Sequence, residues 1–292
     1  MSEKKQPYDV EDTGHEWDGI RELKNDPPRW WMIGYVLSPI FIVVYLLLYP
    51  SIPLINDYTR GLLGWTQIDE YNESMAQLKI IREPFEKKIE ALSALEILSD
   101  SEMKRYAEIS SKVTFGDHCA ACHGSGGQGK PGFPILADDD WLYGGTLETI
   151  IETITDGREG DMPAFGDQLS EREISDLVAF VIASSKGEQS PAGHDVFMGK
   201  TSGEANCVDC HGEEAKGDHD MGSANLTDRI WRFGGSEEAI RRTITYGVNQ
   251  DGKMTRKAIM PTFGKKLKEA DIKKLAVKVW SFGGGEKPQE EE

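Results

Sequence analysis

The feature that most constrains this chain is a duplicated pentapeptide, Cys119-Ala-Ala-Cys122-His123 and Cys207-Val-Asp-Cys210-His211. The two copies consume all four cysteines, so none is left for a disulfide. Two cysteines three apart lie on one side of a helical turn, where their sulfurs reach the two vinyl groups of one haem. The adjoining histidine then directs its imidazole at the iron. Gly124 and Gly212 follow, and their small bulk lets the chain pass a porphyrin edge. The competing reading is a redox or zinc Cys-x-x-Cys pair. A redox pair does not need the histidine, and zinc would need four ligands from these clusters. Cys119, Cys122, Cys207 and Cys210 are therefore read as covalent attachment points for two haem c groups, with His123 and His211 as proximal ligands.

The surroundings of the two motifs are an internal repeat. Asp138-Asp-Asp-Trp141-Leu-Tyr-Gly144-Gly145 matches Asp228-Arg-Ile-Trp231-Arg-Phe-Gly234-Gly235, and Ile150, Ile154 and Gly157 match Ile240, Ile244 and Gly247. Met162-Pro163-Ala-Phe165-Gly166 matches Met260-Pro261-Thr-Phe263-Gly264. Leu169, Ile174, Leu177 and Val181 match Leu267, Ile272, Leu275 and Val279, the spacing of one helix face on a core. Each unit reads as a motif helix, a loop, a middle helix, a Met-Pro loop and a closing helix. The second is longer by an insert beginning at Val248.

Met162 is the one methionine between His123 and the end of the first unit, and Met260 holds the matching place in the second. Both are taken as distal axial ligands; Met221 and Met254 lack the following proline. His/Met ligation raises a haem potential and leaves no open iron position, which points to electron transfer. His219 in a Gly/Asp-rich loop is a weaker rival ligand. His118 lies too close to Cys119 to serve the distal face, and His15 and His194 are read as solvated. Trp141 and Trp231 are expected to pack beside the haems.

Between Trp30 and Asn56 no residue is charged. The apolar stretch is long enough for a helix across a hydrocarbon layer of roughly 30 Å. Trp30, Trp31 and Tyr49 suit its interfaces, and Pro39 is expected to kink it. The run is too long for a cleaved signal peptide and starts after a mostly acidic leader. Arg21, Lys24 and Arg29 precede it and Arg60 follows, which favours a cytoplasmic N-terminus. Covalent haem attachment occurs outside the bacterial inner membrane, so residues from about 57 onward are expected to be periplasmic.

The expected architecture is all-α: one N-terminal transmembrane helix followed by two tandem cytochrome c domains. Its parts are a cytoplasmic leader at 1–29, the anchor at 30–55, a periplasmic helical linker at 56–110, cytochrome domains at 111–186 and 194–283, and an acidic tail at 284–292. The formal charge of −17 is uneven. Residues 111–185 hold four Lys/Arg against 13 Asp/Glu, whereas residues 195–283 hold 15 against 13. Such an acidic balance argues against nucleic acid and allows docking of a basic partner.

The leader and anchor carry a more specific signal. His15-Glu-Trp17-Asp18-Gly19-Ile20, then Pro27-Pro28-Arg-Trp30-Trp31, the span, Tyr49-Pro50 and Gly64-Trp65 resemble the N-terminal region of the dihaem subunit (subunit III, or P) of cbb3-type cytochrome c oxidases. The similarity runs on through both repeats, although some members carry two membrane helices. The resemblance implies that Cys119, Cys122, His123 and Met162 hold one haem, and Cys207, Cys210, His211 and Met260 the other. It also implies that a donor cytochrome c delivers electrons here, to be passed to a monohaem cytochrome c subunit. The haem-copper catalytic subunit, which reduces oxygen and pumps protons, then receives them. On this view the chain is not catalytic alone. Two alternatives are an independent membrane-anchored dihaem carrier and a dihaem peroxidase, which would need one iron open to peroxide.

Overall fold

The computed structural model describes residues 11–201 and 205–286; the start of the leader and the tail beyond Glu286 lie outside the described residues. The chain divides into two compact units between Ile81 and Arg82.

The first unit opens with an antiparallel hairpin, β1 (Asp12–Trp17) and β2 (Ile20–Leu23). Asp18 and Gly19 form its turn at φ 50° and 83°, the left-handed pair that a two-residue hairpin needs. An all-α expectation misses this element. Helix α1 (Arg29–Leu48) has a mean hydropathy of 2.2 and no buried residue, so it is long and apolar enough to cross a membrane. Pro39 cannot donate to the carbonyl of Tyr35, and the Ser38 hydroxyl donates to that oxygen instead, at 3.0 Å. At the other end the chain turns back, and the amides of Leu62 and Leu63 donate to the carbonyls of Leu47 and Leu48 at 2.9 and 3.1 Å. Those carbonyls have no acceptor role left inside the helix, so this return caps it.

Helix α2 (Gln67–Ala91) runs across the boundary into the second unit. It is followed by α3 (Ala94–Ser99) and α4 (Ser101–Ser110), started by the side chains of Ser93 and Asp100 respectively. The first motif region holds α5 (Lys112–His118) and α6 (Ala120–His123). Then come the middle helix α7 (Leu147–Asp156), a two-residue strand β3 (Arg158–Glu159) and the closing helix α8 (Glu171–Ser184). The second repeat supplies α9 (Pro191–Phe197), α10 (Val208–His211), α11 (Glu237–Tyr246), β4 (Ile259–Met260) and α12 (Glu269–Trp280).

Two hydrophobic cores form, and neither follows one sequence repeat. The first joins Phe115, Leu147, Ile150 and Ile154 to Phe263, Ile272, Leu275 and Val279. The second joins Leu169, Ile174, Leu177 and Val181 to Val196, Phe197, Ile240 and Ile244. The closing helices are therefore exchanged: α12 packs on α5 and α7, and α8 packs on α9 and α11. Each large side chain buried on these faces contributes roughly 1.5–3 kcal/mol, so the exchange is held by most of the apolar surface available. The first core also takes Ile89, Ile97, Met103 and Ala107 from α2, α3 and α4. The end of the expected spacer is thus part of a core.

The crossing point is a pair of matched backbone ties. Phe165 and Gly166 donate to the carbonyls of Ile244 and Thr245, while Phe263 and Gly264 donate to those of Ile154 and Thr155, at 2.9–3.1 Å. Between them β3 pairs antiparallel with β4, setting Arg158 opposite Met260. Gly157 (φ 73°) and Gly247 (φ 65°) end the middle helices, and a Cβ on either would collide with the carbonyl of the methionine it faces, Met260 and Met162 respectively. Only glycine serves both demands at these positions.

Candidate haem-binding sites

A cavity of about 1200 Å³, its open mouth included, sits over the first core. Cys119, Cys122 and His123 line it together with Met260, Pro261 and Phe263. The methionine facing the first motif therefore comes from the second repeat. The resemblance implies His123 with Met162, whereas the methionine that lines this cavity with His123 is Met260. Met162 packs on the second core, as do Cys207, Val208 and Trp231. The exchange of closing helices carries each Met-Pro loop with it, which is the physical reason for the difference.

Both histidines are set for ligation. The Nδ1 of His123 lies 3.0 Å from the carbonyl of Pro134, and that of His211 2.9 Å from the carbonyl of Ala224. A carbonyl only accepts, so each Nδ1 is the protonated nitrogen and donates; each Nε2 keeps its lone pair free. Burial pushes the pKa of both imidazoles down, which favours the neutral form a metal ligand requires. Burial also pushes the thiols of Cys119 and Cys207 up to about 11, with the neighbouring cysteine adding to the effect. Such thiols are not the activated thiolates of a redox pair. Among the described residues no three His, Cys, Asp or Glu side chains converge as a metal cluster.

The remaining histidines are placed as follows. His118 lines the first cavity and meets Phe263 edge-on, with ring centroids 5.9 Å apart. His194 packs against Phe180, and His15 lies exposed on β1. His219 stands against Gly144, next to the carboxylates of the first repeat's loop. Trp141 lines the first cavity, its Nε1–H donating to the carbonyl of Gly284 at 2.6 Å. Gly145 and Gly235 lie against the indoles of Trp141 and Trp231, leaving no room for a Cβ.

Two arginines line the first cavity, and a third holds the place matching one of them; all escape a motif search. Arg158 lines the first cavity with its guanidinium 4.7 Å from the centre of the Tyr143 ring. Its repeat mate, four residues before the second Met-Pro, is Arg256, which stands 5.5 Å from the Phe233 ring centre. The Nε of Arg256 is buried with no acceptor among the protein atoms. A buried donor of this kind calls for an acceptor from a bound group, and a haem propionate fits that demand. Arg232 also reaches the first cavity. The signal for the pair at 158 and 256 is the same offset that aligns Met162 with Met260.

Sequence comparison agrees with this geometry. The family model described as cytochrome c oxidase, cbb3-type, subunit III matches residues 110–181 and 198–277, and that for the N-terminal domain of cytochrome oxidase-cbb3, FixP, matches residues 9–56. The chain belongs to the cbb3-type cytochrome c oxidase subunit III family. Its relatives include the cbb3-type cytochrome c oxidase subunit FixP of Azorhizobium caulinodans, 40% identical over 94% of this chain and 93% of the relative. FixP of Bradyrhizobium diazoefficiens is 40% identical with 94% of each chain covered. The subunit CcoP of Azospirillum brasilense is 38% identical over 94% of this chain and 96% of its own. The cytochrome c domains of this family imply covalently bound haem c, and membership makes the chain an electron-transfer subunit of an oxidase complex.

Proposed function

We propose that this subunit holds two haem c groups with exchanged axial ligation: His123 with Met260, and His211 with Met162. The one cavity lined by both His123 and Met260 supports this reading. Bound there, haem supplies a one-electron iron couple. The chain's own residues anchor, orient and shield it. Cys119 and Cys122, or Cys207 and Cys210, would hold it covalently; the carbonyls of Pro134 and Ala224 orient the imidazoles of His123 and His211, and the thioethers of Met260 and Met162 would be the second ligands. A haem held by both a histidine and a methionine would relay electrons and offer no position to oxygen or peroxide.

The subunit accepts electrons from a donor cytochrome c and passes them to a monohaem cytochrome c subunit, which feeds the haem-copper subunit that reduces oxygen. Helix α1 anchors it in the inner membrane with the leader cytoplasmic and residues from about 57 onward periplasmic. Support for the anchor is the exposed apolar surface of α1. The test is purification of the tagged full chain from membranes, with pyridine haemochrome analysis. Haem c at about three per tagged chain, two held by this chain and one by the monohaem subunit, with co-purifying haem b and oxygen uptake, is expected. Two haem c per chain with no haem b would favour an independent carrier.

A further inference from the structure

The wall of the first cavity contains a cation that no carboxylate among the described residues pairs with. Arg232 comes from the second repeat, yet its side chain lines the cavity of the first motif. Its Nε donates to the carbonyl of Gly132 at 3.1 Å, and its own carbonyl accepts from the Gly132 amide at 2.8 Å. The guanidinium lies 5.4 Å from the Phe233 ring centre, and burial pushes its pKa down. Arg158 in the same wall is paired with Glu152 at 2.9 Å. Arg232 has no carboxylate within ion-pair distance among the described residues. Asp140 shares the cavity wall, but its charged neighbours are Asp138, Asp139, Asp228 and His219.

A cation largely withdrawn from water without a counter-charge is costly. The cost is relieved when the occupant of the cavity brings negative charge of its own. Haem does so at its propionates, on the edge that remains polar. The position matching Arg232 in the first repeat is Leu142, so this cation is not duplicated, whereas Arg158 and Arg256 occupy matching places in the two repeats.

We propose that Arg232 is the propionate-binding residue of the site at Cys119, Cys122 and His123, and that its charge raises the midpoint potential of that site alone. The inference rests on the haem reading given above. A fixed positive charge in a poorly screened wall favours the state with one more electron. Because the residue is contributed by the other repeat, it sets the two sites apart in a chain whose motifs are otherwise duplicated.

The test is spectroelectrochemical titration of the oxidase complex containing the full chain, with Arg232→Gln and Arg232→Lys. Gln keeps a donor for Gly132 and removes the charge. One of this chain's two haem c midpoints should fall in Arg232→Gln while the other, and that of the monohaem subunit, stay, and Arg232→Lys should restore it. Resonance Raman propionate modes should shift in both variants, because Lys lacks the planar fork. Both of this chain's midpoints unmoved, or both moved equally, would overturn the proposal. If Arg232→Gln does not assemble, Arg232→Lys decides alone: unchanged propionate modes would overturn it and shifted ones support it. Haem staining of the unaltered chain is done first. A chain without covalent haem would sink the site reading itself, which is a separate failure.

Discussion

Gly157 closes the middle helix of the first repeat against the carbonyl of Met260, the axial candidate of the second. The same relationship joins Gly247 to Met162. Any side chain at Gly157 meets two penalties, the left-handed backbone and the collision. Gly157→Ala should destabilise the chain by at least about 1–2 kcal/mol from the backbone alone. It should also weaken the near-infrared sulfur-to-iron band of one haem more than the other. Thermal melts and that band check both; an unchanged band with normal stability would mean the loop is not held there.

The exchanged pairing has a direct test. In a chain that keeps Cys119 and Cys122 but carries Cys207→Ser and Cys210→Ser, Met260→Ala should abolish the sulfur-to-iron band. Met162→Ala should leave it in place. The reverse pattern would restore pairing within each repeat.

Lys274 is 6% exposed and pairs with both Glu86 and Asp271 at 2.9 Å, while the Tyr106 hydroxyl donates to Glu86 at 2.5 Å. The carboxylates hold on to about a third of their exposure, so the penalty falls below that of a fully buried pair. Lys274→Ala should cost about 2–3 kcal/mol, and Lys274→Met markedly less, since it fills the same space without a charge. Urea denaturation of the two variants compares them.

Asp140 gives a pH dependence of known sign. Burial, then the charges of Asp228, Asp138 and Asp139, raise its pKa from 3.8 to about 6, while His219 opposes the rise. The folded chain therefore binds this proton more tightly than the unfolded one. The stabilising effect is complete below about pH 4 and is lost as pH climbs through about 6. Asp140→Asn should flatten the slope of melting temperature against pH between 4 and 6 and leave the chain more stable than the parent above pH 7. An unaltered slope would place the titration elsewhere.

The acidic first repeat bears on docking. A basic donor cytochrome c should turn over with the complex at a rate that falls steeply as salt rises from low to physiological strength, where the screening length shrinks to about 8 Å. A flat response would remove electrostatic steering from the account.

Much of this was legible in the residues. The two Cys-x-x-Cys-His motifs, the Met-Pro pairs and the anchor each announce themselves by spacing or by an uncharged run. The exchange of halves is not visible in the same way. Ile174, Leu177 and Val181 have the same periodicity as Ile272, Leu275 and Val279, so either closing helix fits either core by pattern alone. The choice is made by backbone ties such as Phe263 to Ile154, whose partners are peptide groups common to every residue. The insert tells part of the story afterwards. Val248 exchanges two backbone bonds with Met162, and the Asn249 side-chain amide donates to the carbonyls of Gly160 and Ala258. Those extra residues of the second repeat brace the methionine of the first. The hairpin at Asp12–Leu23 was missed because its strands are exposed on both faces and show no alternation to read.

The interleaving of the two repeats also bears on how such a chain is made. Its earlier Cys-x-x-Cys-His motif is synthesised long before the methionine that lines the same cavity, which lies near the far end. Neither site can be completed from a half-delivered chain, and deleting one repeat would strip a wall from each. The smallest heritable unit here is the pair: a duplication whose copies have traded parts can no longer be undone one copy at a time.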